Sequence, residues 1–220
     1  MTRILAVDDE DIKETIFAPL ETQLPKLLDD TVEPTWIDPA KFDNAEELQR
    51  AIGERSREPW DAFIVDIHLL SDEKDLSDFM LPVELVKSFR QNNNTALVLM
   101  YSGNIEEYVR QILSASEARK SKDVERHLRS IIGLSILGFS ARGKIVDDLI
   151  NALQNPPLLL RLDKEMQKTP NAVFKTGNKD IEGKTFSQLG DSIRMQNRAG
   201  QEVSRLVLEV GIAGLVDLCA

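Results

Sequence analysis

Two apolar runs in this chain stop on aspartate. Ile4-Leu5-Ala6-Val7 runs into Asp8-Asp9-Glu10, and Ala62-Phe63-Ile64-Val65 runs into Asp66. If both are buried strands of a parallel sheet, their C-terminal ends border the crevice where such sheets bind ligands, and three carboxylates gather in one shallow site. Two carboxylates about 4 Å apart repel by roughly 4 kcal/mol at an effective dielectric near 20, so the cluster calls for a cation. Hard oxygen ligands with few protein attachments suit Mg²⁺, which keeps several waters and accepts an incoming phosphate oxygen. With that repulsion relieved, a carboxylate can attack phosphorus and form an acyl phosphate. A plainer use stands beside this one: Asp8 and Asp9 as an N-cap pair, with Glu10 and Asp11 favouring the dipole of a following helix.

The elements that must position these residues follow from hydropathy. Arg3 to Val7 and Ala62 to Val65 read as buried strands, and Ala96 to Tyr101, ending at Ser102-Gly103, as another. Val32 to Ile37 is a further strand, placed at an edge by Pro34. Between them lie helical patterns at Ile12 to Leu28, interrupted by Pro19 and Pro25, and at Leu48, Ala51 and Ile52 behind a cap at Asp43 or Asn44. Pro82 opens a third helix through Val83, Leu85-Val86 and Phe89. Alternating strands and helices imply a right-handed, doubly wound parallel sheet. The next convincing strand, Ala172-Val173-Phe174, comes only after helical stripes from Ile105 to Leu113, Val124 to Phe139, Ile145 to Leu153 and Leu158 to Met166. A further helix is expected around Phe186 to Met195, and an apolar one from Val203 onward.

On this placement Asp8, Asp9, Asp66, Ser102 and Lys175 all fall at strand ends. The strings ILAVDDE, DAFIVDIHL, LVLMYSG and AVFKT, in that order, resemble the receiver domain of two-component response regulators, with LPVELVKSFR fitting the helix after the third strand. The resemblance covers about residues 1–104 and 170–195. It implies a flavodoxin-like five-stranded sheet of order 2-1-3-4-5, built from residues 1–104 and 170–198. Residues 105–169 become a helical insertion between the fourth and fifth strands, and 199–220 a C-terminal helix.

The resemblance further implies Mg²⁺-dependent phosphorylation of Asp66. Asp9 would bind the metal directly, Asp8 mainly through water, Asp66 through its free oxygen and His68 through its backbone carbonyl. Ser102 and Lys175 would hold phosphoryl oxygens, and the His68 side chain and Asn104 would tune the lifetime of the acyl phosphate. The phosphoryl donor would be a sensor histidine kinase or a phosphotransfer protein. Taken singly, Lys175 is an ordinary surface lysine, Ser102 a turn residue, and His68 and His127 surface positions.

The chain departs from the family pattern in several places. Thr176 stands where a proline usually follows the lysine, and Ala172 where an aromatic usually stands three residues before it. The loop Ser71 to Asp78 is extended, and Pro82 replaces a common glycine. The insertion also carries Arg119, Lys120, Lys122, Arg126, Arg129, Arg142 and Lys144 in a chain with 37 acidic and 27 basic residues and a net charge of −10. That segment is either a solvated face or a docking surface for an acidic protein partner. The last apolar stretch reads as a core helix or a dimerisation helix.

The acidic balance disfavours nucleic acid and anionic membrane as partners. The single cysteine, Cys219, excludes an intramolecular disulfide and points to a reducing, cytoplasmic setting. No membrane span or signal peptide is expected. Two other functions remain open: a receiver-like scaffold that binds partners whatever its phosphorylation state, and an aspartyl-nucleophile phosphohydrolase.

Overall fold

Alternation along the strands explains how the sheet is clothed. The computed structural model describes residues 1–69, 76–103, 138–175 and 178–207. The chain divides into two compact units, residues 1–91 with 96–155, and residues 92–95 with the chain from 156 onward. The first unit holds a five-stranded all-parallel sheet of order β2-β1-β3-β4-β5, the flavodoxin-like arrangement. Its strands are β1 (Thr2–Val7), β2 (Val32–Ile37), β3 (Ala62–Asp66), β4 (Leu97–Ser102) and β5 (Gly138–Ala141). Among the described residues, the α-helices of this unit are α1 (Ala18–Leu28), α2 (Ala45–Arg55), α3 (Leu76–Arg90) and α4 (Ile145–Gln154).

On one face, Leu5, Val7, Phe63, Val65, Val98 and Met100 share a core with Leu48 and Ile52 of α2 and with Leu85 and Phe89 of α3. The Phe63 and Phe89 rings stack with centroids 4.4 Å apart. The alternate residues Ile4, Ala6, Ile64 and Leu99 are equally buried. They belong to the opposite face, where α1 packs beside α4. Pro34 sits on β2, an edge strand, where its missing N–H costs no ladder bond. Asn44 caps α2, its side chain accepting the Glu47 N–H at 3.0 Å.

Three expectations are corrected. Pro82 does not open its helix but lies inside α3, which starts at Leu76. The run from Ile12 enters as one π-helical turn, Lys13–Phe17, before α1, with Pro19 in the first turn of α1. The third correction is topological: the fifth strand is Gly138–Ala141, not Ala172-Val173-Phe174. The latter segment spends its backbone groups locally. Phe174 N–H donates to Lys184 O at 2.9 Å, Phe186 N–H to Ala172 O at 2.8 Å, and Val173 bridges Thr185 antiparallel. Gly183, at φ +75°, supplies the left-handed residue of that turn. Residues 170–198 therefore belong to the second unit rather than the sheet. The first half of the expected insertion, 105–137, lies outside the described residues, as do the loop 70–75, Thr176, His127 and Cys219.

The second unit packs α5 (Leu158–Lys168), α6 (Phe186–Arg194) and a helical stretch at 198–207 around Met166, Ile181, Leu189, Ile193, Ala199 and Val203. Val203 thus serves as a core residue of this unit. Thr185 and Gln188 close a capping box on α6. Gly200 lets the last helix touch the end of α6: a Cβ there would lie 2.0 Å from the Ser192 carbonyl oxygen. Gly200→Ala is expected to cost about 3 kcal/mol, because the obstacle is backbone and cannot rotate away. Chemical denaturation checks this, and a loss below about 1 kcal/mol would mean that the two helices separate freely. No helix among the described residues is long and apolar enough to cross a membrane.

Candidate functional site

The period of two that sorts the core also assembles the site. In the sheet register Asp66 lies beside Tyr101, and Tyr101 beside Ser140. Val7 pairs with Val65, which brings Asp8 level with Asp66. Asp8, Asp66 and Tyr101 thus form one row across β1, β3 and β4 at the C-terminal edge of the sheet. Asp8, Asp9 and Asp66 each offer a carboxylate oxygen within 4.8 Å of the others. Asp8 is fully buried, Asp66 is 3% exposed, and Asp9 faces solvent.

One cation enters the cluster from the fifth strand. Arg142, the first residue after β5, places Nη1 3.2 Å from Asp66 Oδ2 and Nη2 3.1 Å from Asp8 Oδ2. Nη2 also lies 3.0 Å from Glu10 Oε2. The planar fork of an arginine is what lets a single side chain serve three carboxylates. Further donors reach the same carboxylates. Asp8 Oδ1 accepts the Glu10 N–H at 2.8 Å, Asp66 Oδ1 accepts the His68 N–H at 3.0 Å, and the Tyr101 hydroxyl donates to Asp8 Oδ2.

These bonds do not balance the charge. Among the described residues, four carboxylates, those of Asp8, Asp9, Glu10 and Asp66, face one guanidinium. Burial pushes the Asp8 carboxyl up to about 6, against the lowering pull of the Tyr101 hydroxyl and the Glu10 N–H. Burial likewise raises Asp9 and Asp66 above the usual aspartate range. Burial alone would lower Arg142, but its anionic surroundings, Asp8 first, hold it above its ordinary value. With the described residues alone, such a pocket is short of positive charge and draws either protons or a further cation. Its hard oxygen donors, one of them on the solvent-facing Asp9, suit a divalent ion that keeps part of its water shell.

The expected site residues separate into those brought together and those not. Asp8, Asp9 and Asp66 meet. Ser102 is buried at the end of β4, in register with Ala141. His68 is exposed, and its backbone N–H donates to Asp66. Lys175 is exposed in the second unit and follows no strand of the sheet, so its expected place at the end of the fifth strand is corrected. Asn104 lies outside the described residues.

Arg142, Tyr101 and Glu10 were not anticipated as partners in the site. A signal for Arg142 was present in the sequence: Phe139 stands three residues before it, an aromatic-to-cation spacing that Ala172 and Lys175 lack. It was obscured because Phe139 also fits a helical stripe and Arg142 a basic surface segment. No family model matches this chain, and no curated protein sequence matches it.

Proposed function

We propose that the chain is an atypical receiver that accepts a phosphoryl group on Asp66 with Mg²⁺ and signals through protein contacts. The observation that carries this reading is the strand-end cluster: Asp8, Asp9 and Asp66 within 4.8 Å, with Arg142 reaching Asp66 from the end of the fifth strand. Asp9 and Asp66 would hold the metal, with Asp8 behind them and the His68 backbone at the rim. When bound, the ion neutralises the carboxylates and the phosphoryl oxygens. An Asp66 oxygen attacks phosphorus while the bond to the donor, a phosphohistidine of a kinase or phosphotransfer protein, breaks. Arg142, in the place expected for Lys175, and the Ser102 hydroxyl hold the transferred oxygens. Transfer through a loose transition state demands mainly such positioning and charge neutralisation. A cytoplasmic setting fits this role.

Incubation with acetyl phosphate and Mg²⁺ tests the reading. The wild-type chain is expected to gain one phosphoryl group by intact-mass measurement, and Asp66→Asn none. Absence of any Asp66-dependent adduct overturns it.

A second reading has a specific observation behind it. Asp66 is almost wholly buried and already accepts from His68 and Arg142. That satisfied state suits a scaffold which binds partners whatever its phosphorylation state. Beryllofluoride separates the two: partner affinity unchanged by it favours the scaffold.

A further inference from the structure

Asp8 and Asp9 are neighbours in sequence with opposite situations, and the difference is made by donors. Every polar atom of Asp8 is engaged. Its N–H donates to Ile37 O at 3.4 Å, and its carbonyl accepts the Trp36 indole N–H at 2.8 Å. Oδ1 accepts the Glu10 N–H at 2.8 Å, and Oδ2 accepts both the Tyr101 hydroxyl and Arg142 Nη2, the latter at 3.1 Å. Asp9 faces solvent.

The Tyr101 ring is itself fully buried in the sheet row, so its single O–H proton has no water to turn to and Asp8 is its partner. Oδ2 is also the Asp8 oxygen that Arg142 uses, and the guanidinium lies 5.9 Å over the Tyr101 ring. Phenol, carboxylate and guanidinium therefore form one unit beside the solvent-facing Asp9 and beside Asp66, whose Oδ2 takes one bond among the described residues, from Arg142, where Asp8 Oδ2 takes two.

We propose that Tyr101 is a positioning residue: its hydroxyl commits Asp8 to Arg142 and so leaves Asp9 and Asp66 as the carboxylates that bind a divalent cation. The inference rests on the metal-binding reading above and deepens it. Without the hydroxyl, the buried Oδ2 has a free lone pair and competes with Asp9 for the ion. Tyr101 thereby limits the cation affinity of the site and fixes which of two adjacent aspartates is the ligand.

Calorimetric titration of the full chain with Mg²⁺ at pH 8 tests this in four proteins: wild type, Tyr101→Phe, Asp9→Asn and the double variant. Phenylalanine keeps the ring and its packing. The wild type is expected to bind, and Asp9→Asn to lose at least about tenfold in affinity. Tyr101→Phe is expected to gain about tenfold, the size of one charge-assisted hydrogen bond, and to shrink the Asp9 penalty. A merely structural tyrosine would lower the melting temperature and leave both metal values unmoved.

Asp9-dependent binding in the wild type, with affinity and Asp9 penalty unchanged in Tyr101→Phe, overturns the inference alone. No Mg²⁺ binding by the wild type removes the metal reading and this inference together. A second measurement does not depend on Tyr101→Phe folding. The chain has two tyrosines, so in Tyr108→Phe the remaining one is Tyr101. Its infrared C–O stretch is expected to keep the signature of a phenol donating to carboxylate at saturating Mg²⁺. Loss of that signature on adding the ion means that Asp8 leaves Tyr101 for the metal, which also overturns the inference.

Discussion

Arg142→Ala is expected to destabilise the sheet unit by about 2 to 3 kcal/mol at pH 8 and by much less near pH 4. At pH 8 the buried Asp8 carboxyl, pushed up to about 6, is ionised, and removing the guanidinium leaves it beside Asp66 with only neutral donors among the described residues. The figure is set below that of a fully buried pair because the Arg142 side chain is 27% exposed and water partly screens it. The sign with pH follows from Asp8. Burial pushes its carboxyl up to about 6, so the folded state holds this proton more tightly than the unfolded chain does. That contribution is fully present below the unfolded value near 3.8 and is lost as pH rises through 6. At 1.36 kcal/mol per unit the loss is about 3 kcal/mol.

Arg142 acts only on the ionised form, so its own contribution appears as pH rises and offsets part of that loss. Without it the folded-state values of Asp8 and Asp66 climb further, and stability falls more steeply between pH 4 and 8. Denaturant titrations at several pH values, without metal, check the slope. Arg142→Lys should recover part of the loss, since a single ammonium cannot reach both carboxylates in the way the fork does. Equal destabilisation of Arg142→Ala at pH 4 and pH 8 would show that the residue acts by packing rather than charge.

The second large effect belongs to the other unit. Asp163 is 1% exposed and Arg194 6%, and Arg194 Nη1 lies 2.5 Å from Asp163 Oδ1. Thr95 donates to Asp163 Oδ2 at 3.3 Å, Asp191 takes the other guanidinium nitrogen, and the Arg194 carbonyl accepts from Asn94 at 2.8 Å. Gly190 makes room, since a Cβ there would meet Asp163 Oδ1 at 2.8 Å. Arg194→Met leaves the Asp163 carboxylate buried and uncompensated, at an expected cost of about 3 to 5 kcal/mol. Adding Asp163→Leu should restore much of it, because the pair spends most of its attraction on desolvation. The double-mutant cycle by chemical denaturation measures this. A double variant no more stable than Arg194→Met would mean that the polar network, not the unpaired charge, holds the unit together.

Much of the sheet was legible from the chain. Strands β1 to β4 are short apolar runs with clear ends, and Asn44 and Pro34 each carried a local rule that held. The three aspartates were legible too, because a carboxylate ending a buried strand has few places to go. The fifth strand was not. Gly138–Ala141 is four residues long, ends in small and polar side chains, and joins a strand far back in the chain at Leu99. Ala172 to Phe174 has the better strand composition, yet Lys184 and Phe186 are near in sequence and take its backbone bonds first.

The sequence by itself determined the class of fold and the acidic end of the site, because periodicity and strand-terminal charge are local properties. Tertiary structure alone decided which cation meets Asp66 and which aspartate is buried. Strand pairing and register bring Arg142 across from the fifth strand and set Tyr101 beside Asp66, and no spacing along the chain encodes a contact made between strands.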